Sequence, residues 1–203
     1  MATQGLVVLS GVVEGLVDEA ILQRLVQYVG TTLGAIYGKR GKNYLRDKLG
    51  GFNNAARFHP WVVLVDLDQD AECAPDLRTA WLPDPSPYMC FRVAVRMAEA
   101  WLLADRDMLS TFLSVRASRI PGVPEAEPDP KRTMVQLATL SRRRDIREDM
   151  SPRPGSGRPI GPAYTSRLVE FARTHWRPDV AATGSTSLRR CIERLRELSE
   201  ATL

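Results

Sequence analysis

The chain has 203 residues, 44% apolar and 26% charged, which is the composition of an ordinary globular protein and excludes whole-chain disorder. A chain of this length buries about 70% of its unfolded surface on folding, enough for a true core within one domain. Its 28 basic and 24 acidic side chains leave a formal charge of +4, too small by itself to announce a nucleic-acid binder.

The first hundred residues alternate strand and helix patterns. Leu6 to Val13 is a short apolar run rich in β-branched residues and reads as a buried strand ending at Glu14-Gly15. Asp18 and Glu19 suit the first turn of a helix, whose apolar face is Ile21, Leu22, Leu25, Val26, Val29 and Leu33. Gly34 to Tyr37 gives a short second strand, followed by the basic loop Gly38 to Lys42 and a polar helix from Asn43 to about Leu49. Trp61 to Val65 is the clearest strand, a continuous apolar run suited to the centre of a parallel sheet, and it ends abruptly in Asp66-Leu67-Asp68-Gln69-Asp70. The proline-rich segment from Pro75 to Pro87 reads as a loop, Tyr88 to Val95 as a further strand, and Met97 to about Leu113 as one helix.

Beyond residue 115 the prolines at 121, 124, 128 and 130 mark a loop, and Lys131 to Arg144 reads as a helix. Ser151 to Pro162, with four prolines and three glycines, is a loop, and helices from about Thr165 to His175 and from about Ser187 close the chain. This order predicts a three-layer, Rossmann-like α/β fold with a mostly parallel sheet, forming one domain over residues 1–203. Its core covers about 6–115 and a helical C-terminal extension about 116–203. The N-terminus Met1-Ala2-Thr3-Gln4-Gly5 lacks the positive region of a signal peptide and no run of 18 uncharged apolar residues exists, so the expectation is a cytoplasmic protein without membrane contact.

Cys73, Cys90 and Cys191 are widely spaced and form no CxxC pair, and His59 and His175 are the only imidazoles, which excludes a zinc site of usual spacing. Acidic groups stand instead at two strand ends, Glu14 after the first and Asp66, Asp68 and Asp70 after the central one. In an open parallel sheet, ligands bind beyond the carboxyl ends of the strands. Carboxylates without thiolates or imidazoles make a hard-cation site, for Mg2+ or Mn2+. In an extended segment Asp66 and Asp68 point the same way and can share one ion. Lys39, Arg40 and Lys42 lie in the basic loop and could hold a phosphate. Arg142-Arg143-Arg144 could track a phosphate backbone, but Asp145, Glu148 and Asp149 follow and favour internal pairing; Arg153 and Arg158 offer a second such surface. Gly155-Ser156-Gly157-Arg158 lacks the ending of a phosphate-binding loop, and Trp61, Trp81, Trp101 and Trp176 read as core or interface residues.

Val13-Glu14-Gly15-Leu16-Val17-Asp18 resembles the first motif of the Toprim fold, a strand ending in Glu-Gly with an acidic residue four positions after the Glu. Val65-Asp66-Leu67-Asp68-Gln69-Asp70 resembles its second, the Asp-x-Asp after the third strand. With Arg96-Met97-Ala98-Glu99-Ala100-Trp101-Leu102-Leu103-Ala104-Asp105 and Ser185-Thr186-Ser187-Leu188, most of the chain resembles the bacterial DUF4276 family of Toprim-like proteins. Ala71-Glu72-Cys73 stands where Toprim motifs often carry a glycine.

The resemblance implies metal binding by Glu14, Asp66 and Asp68, with Asp18 and Asp70 as outer or second-metal ligands; Glu99 is a further candidate ligand because it lies just after a predicted strand, close to the same sheet edge. It also implies a Mg2+-dependent nuclease or phosphodiester hydrolase, acting on nucleic acid beside an ATPase partner in defence against phage or mobile DNA. Two alternatives stay open: a non-catalytic Toprim-like metal-binding or interaction subunit, and a small-molecule phosphotransferase or phosphatase on another doubly wound fold, using Asp66 as nucleophile and Asp68 as acid.

Overall fold

The computed structural model describes residues 7–200. Four strands, β1 (Val8–Val13), β2 (Thr32–Gly38), β3 (Trp61–Asp66) and β4 (Met89–Ala94), pair in the order β2-β1-β3-β4, every pair parallel. The strand read from Leu6 is seen from Val8; Leu6 and Met1–Gly5 lie outside the described residues. The first five residues of β3 are all buried because it lies inside the sheet with apolar layers on both faces. Its side chains alternate between them: Val62 and Leu64 join one apolar cluster, Trp61, Val63 and Val65 the other.

Over the second cluster lie α2 (Lys42–Ala55), through Leu45 and Leu49, and α3 (Ala74–Trp81), through Leu77. The first cluster is covered by α1 (Leu16–Tyr28) and the helices that follow β4: α4 (Ala98–Leu103), α5 (Arg106–Leu113), α6 (Pro130–Thr139), α7 (Arg144–Met150), α8 (Tyr164–Thr174), α9 (Pro178–Gly184) and α10 (Thr186–Glu200). The result is a helix–sheet–helix α/β fold with a helical C-terminal segment. That segment packs directly on the core: α8 lies against α1, and α10 lays Leu188, Cys191, Ile192, Leu195 and Leu198 over the sheet beside β4.

The helix α1 comes so close to β1 that a Cβ on Gly11 would stand 2.8 Å from Leu22 Cδ2. At the carboxyl end of the neighbouring β2, Gly38 adopts φ +92°, and a Cβ there would stand 2.2 Å from the Val13 carbonyl oxygen. The turn it opens is fastened to β1 by Lys39 N–H donating to Val13 O (2.8 Å) and Gly41 N–H donating to Glu14 O (3.2 Å). This brings the start of α2, with Lys42, to the carboxyl end of β1.

Several segments differ from the sequence reading: Leu33, read on the first helix, lies in β2, and α2 runs to Ala55 rather than about Leu49. The proline-rich segment contains α3, because Pro75 lies in its first turn, where a missing N–H costs nothing. The helix read over 97–113 is two helices, broken where Asp105 caps α5 by accepting from Met108 N–H and is clasped by Arg177 (2.6 Å). The helix read over 131–144 ends at Thr139, with α7 starting separately at Arg144. The helix α9, unanticipated, begins with Pro178 in its first turn. No helix among the described residues is long and apolar enough to cross a membrane.

Candidate functional site

In the order β2-β1-β3-β4 the connections leave β1 and β3 in opposite directions, so the topological switch lies between these two strands. Glu14 follows β1 and Asp66 ends β3, so both acidic positions read from the sequence stand at that switch. The Glu14 carboxylate accepts from Asp66 N–H (2.9 Å), and the Asp66 carboxylate accepts from Ala98 N–H (2.8 Å), tying β1, β3 and the start of α4 together. Gly15 is the N-cap of α1, and three residues on the Asp18 carboxylate accepts from Gly15 N–H (2.8 Å). One helical turn therefore folds Asp18 back toward Glu14.

Asp18 and Glu99 are among the few buried charged residues, at 9% and 4% exposure. Burial, then the negative charges of Glu99 and Glu14, push the Asp18 carboxyl up to about 7. Burial, then Asp18, Glu99 and Glu14, hold the Asp66 carboxyl well above the usual carboxylate range. Burial raises Glu14 as well, against the opposing Asp66 N–H bond and the Lys42 charge. These four carboxyl groups thus share one poorly solvated volume. Glu99, which α4 carries inward rather than to solvent, also accepts from Tyr164 O–H (3.3 Å) and pairs with Lys131 Nζ (3.7 Å).

Asp68 and Asp70 lie outside this group. The extended backbone stops at Asp66, and Asp68 takes a left-handed conformation (φ 49°), so the alternation expected to align Asp66 with Asp68 does not continue. Both instead bind Lys42 Nζ, at 2.9 and 2.6 Å. Burial alone would lower the Lys42 pKa; the bonds to Asp70 and Asp68 outweigh it and raise it. The Lys42 ammonium also stands 5.9 Å from the centroid of the Trp81 ring.

Of the three basic-loop residues, only Lys42 reaches the carboxylates. Lys39 pairs with Glu19 (3.3 Å) and the Arg40 guanidinium lies 5.3 Å over the Tyr44 ring. Arg143 and Arg144 pair with Asp145 and Glu148, the internal pairing anticipated for that run. Lys131 and Tyr164, which complete the surroundings of Glu99, come from the C-terminal half and carry no motif that would mark them in the sequence.

By donor type alone, carboxylate oxygens such as those of Glu14, Asp18, Asp66 and Glu99 suit a hard divalent cation. Among the described residues no three His, Cys, Asp or Glu side chains surround a common point, each being turned to an amide, a lysine or a phenol. No protein-family model matches the chain, and no curated protein matches it. Among solved structures it is similar to the C-terminal region of the Burkholderia pseudomallei OLD protein, at 16% identity over 94% of this chain and 98% of that one, with a TM-score of 0.40.

Proposed function

We propose that the protein is a Mg2+- or Mn2+-dependent hydrolase of phosphodiesters, a nuclease of Toprim type. The observation that carries this reading is the group of Glu14, Asp18, Asp66 and Glu99 at the switch between β1 and β3, each poorly solvated and the first three raised by burial and mutual charge. Such a group is costly to hold without a counter-cation, so the fold tolerates it for what it binds. Glu14, Asp18, Asp66 and Glu99 would hold the cation, with Asp68 and Asp70, bound to Lys42, at the rim. A bound divalent ion would polarise the phosphoryl oxygens and lower the pKa of an attacking water.

The chain's own groups prepare that chemistry. The amides of Asp66 and Ala98 fix the orientation of Glu14 and Asp66. Lys131 offsets the charge of Glu99, and Lys42 sits at the rim as the cation nearest to an entering phosphate. The expected biological setting, defence against phage or mobile DNA beside an ATPase partner, belongs to the same proposal.

The geometry also favours a second reading, a non-catalytic subunit: Lys42 already pairs with both Asp68 and Asp70, and the described carboxylates surround no common point. A plasmid and RNA cleavage assay separates the two. The nuclease reading expects cleavage that requires Mg2+ or Mn2+ and falls at least about a hundredfold in Glu14→Gln and in Asp66→Asn. Absence of cleavage with either ion, or equal cleavage by the variants, would leave the second reading standing.

A further inference from the structure

Beside the carboxylates, a cleft of about 270 Å³ opens between β4, α3 and the start of α10. Four guanidinium groups line it: Arg78 from α3, Arg92 and Arg96 on and just beyond β4, and Arg190 from α10. Glu72 and Glu125 also line it. Glu125, however, is committed to the first turn of α10, accepting from Ser185 O–H (2.7 Å), Ser187 N–H (2.8 Å) and Ser187 O–H (2.6 Å). Among the described residues none of the four arginines lies within 4.0 Å of a carboxylate.

The Nε of Arg92 is buried and has no acceptor, and Arg96 donates to the backbone carbonyl of Asp68 (3.1 Å). Burial, then the positive charge of Arg92, press the Arg78 guanidinium below its ordinary value; Arg190 and Arg194 add to this and the Cys90 thiol opposes it. Guanidinium groups do not discharge by losing a proton, and the Cys90 thiol beside Arg92 compensates only part of the cluster, so a bound anion would stabilise it. Several guanidinium forks facing one cleft match the three oxygens of a phosphate better than a single carboxylate. Leu67 lines the same cleft and Arg96 holds the Asp68 carbonyl, so it abuts the loop that carries Asp66, Asp68 and Asp70.

We infer that this cleft is a phosphate-binding site, for a phosphate of a polynucleotide strand or of a free nucleotide. Under the nuclease reading it takes a phosphate flanking the one at the carboxylates; that clause rests on the reading, whereas phosphate binding itself does not.

Cys73 supplies a readout, since it lines the cleft and is exposed while Cys90 and Cys191 are buried. The full chain, held in chelator, is labelled with a thiol-reactive disulfide reagent in the presence of pyrophosphate, a mononucleotide or a single-stranded oligonucleotide without terminal phosphates. Pyrophosphate is expected to slow Cys73 labelling several-fold. Arg92→Met and Arg190→Ala should each raise the half-protecting concentration about tenfold. Arg190 lies on the exposed side of α10, so its variant keeps the fold, and Arg153→Ala in the loop before α8 serves as the control. Protection by the oligonucleotide assigns the site to a strand; protection by the mononucleotide alone assigns it to a free nucleotide. Labelling indifferent to pyrophosphate, or protection equal in wild type and both variants, would overturn the inference. Protection without metal-dependent cleavage would sink the nuclease reading and spare the phosphate site; cleavage without protection would do the reverse.

Discussion

Asp66 concentrates the opposing forces of the site in one side chain. Its carboxylate accepts from Ala98 N–H, which favours an oxygen there, yet burial and the nearby Asp18, Glu99 and Glu14 all disfavour the charge. Asp66→Asn keeps the acceptor oxygen and removes one like charge. At pH 8 in chelator the variant should therefore melt higher than wild type, by roughly 1 kcal/mol of stability, and should gain less on adding Mg2+. A lower melting temperature in chelator would mean that the hydrogen bond, not repulsion, dominates at this position. The strand-end residues were legible in the sequence because a continuous apolar run that stops at an acid leaves that acid at the sheet's edge. Glu99 was legible only as a candidate, since nothing local says whether a glutamate in a first helical turn faces solvent or core. Lys131 and Tyr164 were not legible, because their proximity to Glu99 is created by packing between distant parts of the chain.

Among the elements, the turn between β2 and α2 does most to aim the site. Gly38 combines a left-handed backbone with contact against the Val13 carbonyl, so Gly38→Ala must move one strand or the other. It should cost roughly 2 kcal/mol or more, measured by urea denaturation, and should loosen the Lys42 bonds to Asp68 and Asp70. A variant as stable as wild type would show that the turn can be rebuilt without strain. The strands were readable from apolar runs, and α1 and α10 from their spacing. In three of the segments that differ, a helix begins at a residue type that also marks breaks, Pro75 for α3, Pro178 for α9 and Asp105 for α5.

At the scale of the molecule, the C-terminal helices are part of one apolar cluster with the sheet. Trp101 and Trp176 are fully buried within it, Trp176 Nε1–H donating to the Trp101 carbonyl (3.1 Å) and Trp101 Nε1–H to Ser187 Oγ (2.7 Å). A chain ending at residue 115 would uncover α1 and one face of the sheet. It should lose the cooperative thermal transition expected of the full chain; a sharp transition in the truncated chain would mark the first 115 residues as able to fold alone. Sequence composition marked that C-terminal part as an addition because its prolines interrupt the periodicity, whereas its role is to close the core. The position of Trp81 has a separate, optical consequence. Three indoles lie in the apolar interior, while that of Trp81, half-buried, faces the ammonium of Lys42 and the guanidinium of Arg46. Emission from an indole responds to a neighbouring positive charge, so any cation or anion that draws Lys42 from Asp68 and Asp70 changes the fluorescence of the unlabelled protein.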